Sequence, residues 1–230
     1  ITSGGKLESM LDGFFKHLII PIEGGRPPRT CFGEIFAVMV AIARYAGVLE
    51  EDLWNSNARR AWLTQEVTNH DLVKHSRNDV ASLARTIAGA PIATLASTTL
   101  APTAYRFRCQ VNENAGTFVR NSVLPEAHHN EIVAWGEVND DVPQQAVLFF
   151  EQAEHRSEMQ RRLDWTVEHG IQSPCMWRLV LEGDSLYDRY LHGAIISDWL
   201  SFAIALLRGK DPSSIEPILK LKAYLNSEIS

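Results

Sequence analysis

The densest run of side chains able to move protons lies between residues 112 and 131. It holds Asn112-Glu113-Asn114-Ala115 and then Pro125-Glu126-Ala127-His128-His129-Asn130-Glu131. Carboxylates and imidazoles gathered near an inferred helix end and an inferred helix start suit general acid–base work. Pro125 fits the first turn of a helix, which would place both histidines near a helix N-terminus, where the positive dipole end favours neutral imidazole. The same composition fits a solvated loop with surface histidines. Metal ligation is not expected here: adjacent histidines point apart on a helix, and no His-x-x-x-His spacing occurs in the chain.

Two other segments carry charge where chemistry could use it. Gly24-Gly25-Arg26-Pro27-Pro28-Arg29 follows an inferred strand, Leu18–Glu23, and leads into an apolar helix. Arg29 then stands beside a helix N-terminus, where free amides and a guanidinium together attract anions; the alternative is a surface arginine on a turn. Near the end, Asp211 can cap a helix over 212–226 with Pro212 in its first position, and the inward stripe reads Ile215, Ile218, Leu219, Lys222, Leu225. Lys222 falls on that apolar face while Lys220 points away. It either snorkels to water or brings its ammonium into a dry cleft.

The elements that must position these groups follow from hydrophobic periodicity. Apolar runs of strand length, Leu18–Glu23, Pro91–Ser97, Gln145–Glu151 and Cys175–Leu181, alternate with helical patterns. That order yields parallel strands joined by crossover helices. Helical patterns cover 29–45, 71–88, 100–111 with Gly116 as a stop, 155–169, 185–208 and 212–226. The 29–45 helix is apolar nearly all round (Ile35, Phe36, Val38, Met39, Val40, Ile42), so deep burial is expected. A boundary near Gly47–Asp52 separates residues 1–48, too few elements for a domain alone, from residues 49–230. Ile1 reads as lying inside a strand end, so the start looks cut.

Composition bounds the rest. With 230 residues, 45% hydrophobic and 22% charged, the chain has the profile of an ordinary globular protein, which excludes disordered and collagen-like classes. A net charge of -6 offers no attraction to a nucleic-acid backbone or an anionic membrane. The longest apolar runs fall short of the roughly 20 residues that span a bilayer, so no membrane crossing is expected. Cys31, Cys109 and Cys175 match neither a disulfide framework nor a zinc motif, which suits a reducing cytosol.

At these residues the sequence resembles the bifunctional phosphoglucose/phosphomannose isomerases of the sugar isomerase (SIS) superfamily. The matching pieces are Thr2-Ser3-Gly4-Gly5-Lys6-Leu7, Pro28-Arg29, Asn112-Glu113-Asn114-Ala115, Leu124-Pro125-Glu126-Ala127-His128-His129-Asn130, Asp211-Pro212 and Leu221-Lys222, in family order over nearly the whole chain. The resemblance implies an α/β fold, a doubly wound parallel sheet flanked by helices, with the end of one SIS domain in 1–48 and a second SIS domain in 49–230. It implies a cytoplasmic enzyme of carbohydrate metabolism that interconverts glucose 6-phosphate and fructose 6-phosphate through a cis-enediol, without metal or cofactor. By motif, Glu113 is the base between C1 and C2, and Arg29 stabilises the enediolate charge. His129 opens the sugar ring from the neighbouring subunit of a homodimer, and Lys222 assists near the ring oxygens. Thr2, Ser3, Gly4 and Gly5 are the nearby remnant of phosphate-gripping loops that in the family lie upstream, so little turnover is expected of this chain alone. Ile215 stands close to where members that use mannose 6-phosphate carry a small polar residue, which favours glucose over mannose. The rival readings are a non-catalytic sugar-phosphate-binding module and an inactive dimerising fragment. Glu113, Arg29, His129 and Lys222 together favour the enzyme, since a sensor needs no positioned base.

Overall fold

The structure is a computed structural model that describes residues 1–11, 13, 16–50, 56–137, 145–152, 157–173 and 175–227. It forms two compact units, Ile1–Trp62 and Leu63–Ser230. In chain order the elements are α1 (Lys6–Leu11), α2 (Phe32–Tyr45), α3 (Asn57–His70), α4 (Asp79–Ile87), β1 (Ile92–Ser97), α5 (Ala101–Ala115), β2 (Val119–Leu124), α6 (Glu131–Gly136), β3 (Ala146–Gln152), α7 (Glu158–Trp165), β4 (Met176–Leu181), α8 (Leu186–Leu207) and α9 (Glu216–Ser227). The division after Trp62 falls inside α3 and not near Gly47–Asp52; residues 51–55 lie outside the described residues. The second half of α3 groups with the larger unit because Glu66 and His70 meet His192 of α8.

The smaller unit holds no sheet among its described residues. The strand expected over Leu18–Glu23 is reduced to one parallel bridge between Thr2 and Pro21. Thr2 N–H donates to Ile20 O at 3.1 Å and Ile22 N–H to Thr2 O at 2.8 Å. Lys16–Leu18 are already wound into a 3-10 turn and Pro21 lacks the amide a ladder needs, so pairing stops there. The deep burial expected of α2 is also corrected. Only Val40 is buried, while Met39 stays 54% exposed, because the described part of this unit supplies no layer to cover an all-round apolar helix.

The larger unit is a four-stranded, all-parallel sheet in the order β2-β1-β3-β4. Central β3 shows why. Val147, Leu148, Phe149 and Phe150 are each 0% exposed, an unbroken apolar run that suits a strand buried on both faces. Alternate residues serve opposite layers. Leu148 and Phe150 join Phe107, Leu200 and Ile204 under α4, α5 and α8. Val147 and Phe149 join Leu95, Leu163 and Ile171 on the side of α7. This is the α/β parallel sheet flanked by helices that the sequence implies. Strand order reverses at β1, with β2 on one side and β3 on the other, so the crevice of an open α/β sheet lies at the carboxyl ends of β1 and β3.

Individual element ends carry their own physics. Gly116, at φ 60°, stops α5 in the left-handed conformation that glycine adopts without strain. Ser185 and Asp188 form a reciprocal capping box that starts α8. This helix has the length and a mean hydropathy, 1.4 over its most apolar stretch, of a membrane span, yet 56% of that stretch is buried inside the fold. The final helix starts later than expected. Asp211 accepts from Ser213 N–H (2.8 Å) and Oγ–H (2.7 Å) in a local turn, and α9 begins at Glu216 with Pro217 next. A strand the periodicity missed is β2, whose half-polar Val-Arg-Asn-Ser-Val-Leu is that of a sheet edge.

Candidate functional site

Glu113 sits in the last turn of α5, half-buried, and the neighbours of its motif are clamped to α8. Asn114 Nδ2 donates to Ser201 Oγ at 2.9 Å, and Ser201 Oγ–H donates to Asp198 O at 3.0 Å. Two turns earlier, Arg106 donates to both oxygens of Asp198 (2.7 and 3.0 Å), and Gln110 donates to the same carboxylate. Burial raises the Asp198 carboxyl above its ordinary range, while Arg106 and Gln110 pull it back down. Gly193 on α8 admits this close approach: a Cβ there would collide with Thr103 Cγ2 of α5 and sit 3.2 Å from Leu181 Cδ1. Lys210 completes the end of α5, its Nζ donating to the Glu113 carbonyl at 3.4 Å, where a cation complements the negative helix terminus. Sequence reasoning missed Lys210, although it directly precedes the Asp211-Pro212 motif.

The two histidines lie at the other end of β2. Pro125 leads not into a long helix but into a single 3-10 turn, Glu126–His128, and α6 begins only at Glu131 behind an Asn130 cap, so both histidines precede that short helix instead of lying in its first turn. They face apart. His129 is exposed, whereas His128 is half-buried with Nε2 2.6 Å from Thr166 Oγ1. Thr166 Oγ–H donates to Arg162 O at 2.6 Å, so its oxygen accepts from a His128 proton on Nε2. Burial first, and the Arg162 charge second, hold the His128 pKa below its usual value. A cavity of about 390 Å³ opens here, lined by His128, Glu158, Arg161, Arg162 and Trp165.

Glu113 and His129 therefore stand at opposite ends of the sheet. A three-residue loop joins α5 to the start of β2, while His129 follows its end. Six strand residues separate the two levels by roughly 17–20 Å. One copy of this unit does not bring them together.

Lys222 lies on α9, none of whose described residues is buried. The inward stripe is corrected: Leu219 is 55% and Leu225 50% exposed, so within this unit the helix has no cleft for Lys222 to enter. The remaining candidates belong to the smaller unit. Arg29 is half-buried in a 3-10 turn, Pro28–Cys31, that precedes α2. Arg26, beside it, is engaged by Glu34 (2.5 Å) and Glu23 (3.2 Å). Thr2 and Gly4 bond each other, Thr2 Oγ1–H to Gly4 O at 3.0 Å and Gly4 N–H to Thr2 Oγ1 at 3.1 Å, with Ser3 in the bend between them. Gly4 and Gly5 have φ of 110° and 86°, conformations that favour glycine, and both border a cavity of about 520 Å³ with Glu8, Ser9 and Lys16.

A third cluster was not singled out from sequence. Glu66 and His70 are one turn apart on α3, and His192 approaches from α8 with Nε2 3.3 Å from Glu66 Oε2. His70 Nδ1 is 3.8 Å from the same oxygen. The three side chains are 12%, 19% and 5% exposed respectively, and one ligand atom from each lies within 4.8 Å of the others. Among the described residues this is the one His/Cys/Asp/Glu group able to hold a metal ion. Burial, aided by the neighbouring His70, lowers the His192 pKa against the pull of Glu66 and Glu182. The available signal was Glu66-x-x-x-His70 at helical spacing, but its third member is 122 residues beyond His70 and only the fold supplies it.

Residues 76–225 match the family model for the bacterial phospho-glucose isomerase C-terminal SIS domain. A bifunctional phosphoglucose/phosphomannose isomerase of Aquifex aeolicus is 33% identical over 127 residues, covering 53% of this chain and 38% of that protein. One of the same name from Thermoplasma acidophilum is 25% identical over 229 residues, covering 98% of this chain and 66% of that protein. The chain thus spans less than two thirds of the length of these relatives. Among solved structures, a glucose-6-phosphate isomerase like protein from Thermus thermophilus superposes with a TM-score of 0.56 at 15% identity, over 71% of this chain and 53% of that one, a likeness of fold.

Proposed function

The chain belongs to the family of the bacterial phosphoglucose isomerases, whose C-terminal SIS domain it carries, and from that membership we propose that it works in the aldose–ketose isomerisation of a hexose 6-phosphate. The substrates in this reading are glucose 6-phosphate and fructose 6-phosphate, with mannose 6-phosphate less favoured by Ile215. Glu113 takes the proton from one carbon of the open-chain sugar and returns it to the next, and Arg29 meets the charge of the enediolate between them. Proton transfer between two carbons by a carboxylate needs no Lewis acid. Residues 2–5 lie near the phosphate, residues 1–48 being the end of a first SIS domain.

The observation that carries the reading is the clamp on the Glu113 motif: two bonded contacts from α5 to α8 fix the helix end from which a base must act within a fraction of an ångström. The separation of Glu113 from His129 along β2 supports a homodimer in which the exposed His129 serves the neighbouring subunit's site. Lys222 reaches substrate on the same terms, where another surface covers α9. Three free cysteines suit the cytoplasm.

The test is exchange chemistry in the whole protein. Fructose 6-phosphate in deuterated water should yield glucose 6-phosphate labelled at C2, and Glu113→Gln should slow that by on the order of 10²–10⁴-fold. Unchanged labelling in the variant would reject Glu113 as base. Tight hexose phosphate binding without any labelling would instead make the protein a sugar-phosphate-binding module.

A further inference from the structure

The Glu66, His70 and His192 cluster takes no part in the proposed isomerisation, and its chemistry is that of a cation site. Two imidazoles and one carboxylate form a donor set of intermediate softness, suited to Zn²⁺ and its divalent first-row neighbours. The 3.3 Å between Glu66 Oε2 and His192 Nε2 is the edge of a tetrahedron whose metal–ligand bonds are about 2.0–2.1 Å. The cluster borders a cavity of about 300 Å³, which leaves room for water as a fourth ligand. Asp79 and Glu182 also line that cavity and add negative charge, while its arginine, Arg178, is taken up by Glu151 and Asp164. We propose that Glu66, His70 and His192 bind a zinc-class divalent cation, pinning the end of α3 to α8 beside the last strand of the sheet.

The proton inventory gives this site a signature. Glu182 N–H donates to His192 Nδ1 at 2.9 Å, so the neutral ring carries its proton on Nε2, directed at Glu66. Ligation through Nε2 moves that proton to Nδ1, and the Glu182 amide must then give up its bond. The ring stays neutral and no proton leaves His192. Cation binding accordingly tightens α3 against α8 while loosening one amide at the end of β4, a combination that nonspecific binding to surface carboxylates does not produce.

The experiment uses the whole chain without a polyhistidine tag, stripped with a chelator and titrated with Zn²⁺ by calorimetry. The expected result is one Zn²⁺ per chain and a higher melting temperature, with faster hydrogen exchange at the Glu182 amide against slower exchange along the second half of α3. Removing a ligand should weaken binding at least as much as the roughly 10–100-fold that loss of a supporting outer-shell group costs. Glu66→Gln and His70→Ala each test this, the second at the most exposed member, so that one folded variant is obtained without opening the core. No saturable binding by the parent chain overturns the proposal. So does Zn²⁺ affinity unchanged in a variant whose circular dichroism matches the parent, or a Glu182 amide whose exchange slows with its neighbours. None of these readouts depends on isomerase turnover, so failure here and failure of the proposed reaction are separable.

Discussion

Arg178 on β4 offers a quantitative test of how the sheet edge is held. Its guanidinium donates to Glu151 through Nε (2.8 Å) and Nη2 (2.7 Å), and to Asp164 of α7 at 2.6 Å. Glu151 is on β3 with its side chain 3% exposed, so Arg178→Met leaves a buried carboxylate that, among the described residues, keeps only Gln160 Nε2, 3.4 Å away, in place of the fork. Removing one partner of a buried pair costs about 3–5 kcal/mol. The Arg178 side chain is itself 39% exposed, and screening at that end brings the expected loss down to about 2–3 kcal/mol. For a unit of this size that is a drop in melting temperature of roughly 4–12 °C. Urea unfolding at neutral pH reads it directly, and Glu151→Leu with Arg178→Met should recover most of the loss because no charge is then stranded. Acid gives a second check. Hydrogen bonds from Arg178 and then Gln160 hold Asp164 below its ordinary pKa, so its contribution is present above about pH 4 and disappears as pH falls through the depressed folded value. That part is missing from Arg178→Met, and the gap between parent and variant should narrow below pH 4. A loss under about 1 kcal/mol, or a double variant as unstable as the single one, would refute the reasoning.

Other outcomes follow from the same geometry. Gly183 has φ 131°, and a Cβ there would strike Asp188 Cβ and lie 3.1 Å from the Asp188 carbonyl carbon, so Gly183→Ala should break the capping box of α8 and cost about 2 kcal/mol or more in urea unfolding. An unchanged midpoint would show that the turn adapts. Lys222→Met, on an exposed face, should leave stability within about 0.5 kcal/mol, and turnover of the whole protein then reads its role alone: unchanged turnover removes it from the site. Burial lowers the pKa of both His128 and His192, so the unfolded chain binds more protons below about pH 6.5, and stability should fall as pH drops from there toward the depressed folded values. Equal urea midpoints at pH 7.5 and pH 5 would contradict this.

What was legible in the sequence was whatever one layer decides for itself. The runs around Leu95 and Phe149 are buried on both faces, and such a run has few alternatives to a buried parallel strand; the run around Leu179 is apolar apart from Arg178 and forms the edge of the sheet opposite β2, and all three ended within a residue or two of expectation. The Asn112–Ala115 motif could be set at a helix end because Gly116 marks the stop locally. Periodicity failed where a partner outside the local segment decides burial. The stripes of α2 and α9 are as apolar as those of α5, yet Met39 and Leu219 are exposed, because a stripe states only that a helix seeks cover and not which surface gives it. The edge strand β2 was hidden for the complementary reason: with a single neighbour, β1, it needs no continuous apolar run.

The same distinction separates the two sites. An acid–base motif of four consecutive residues is a local object, and sequence can set it on one helix. It cannot say that His129 lies a strand's length away, because that separation comes from β2 running between them. Glu66, His70 and His192 are the reverse case. No segment of the chain contains the set, and His192 alone reads as a polar residue inside an apolar helix. The two elements become neighbours only when α8 is drawn over the sheet by Leu200 and Ile204. A residue whose partners are supplied by packing has no sequence signature beyond its own cost of burial. The buried polar residues of α8, Asp188, His192, Ser197 and Ser201, are therefore where a reader of sequence should look first, since each requires an unseen partner to offset its desolvation.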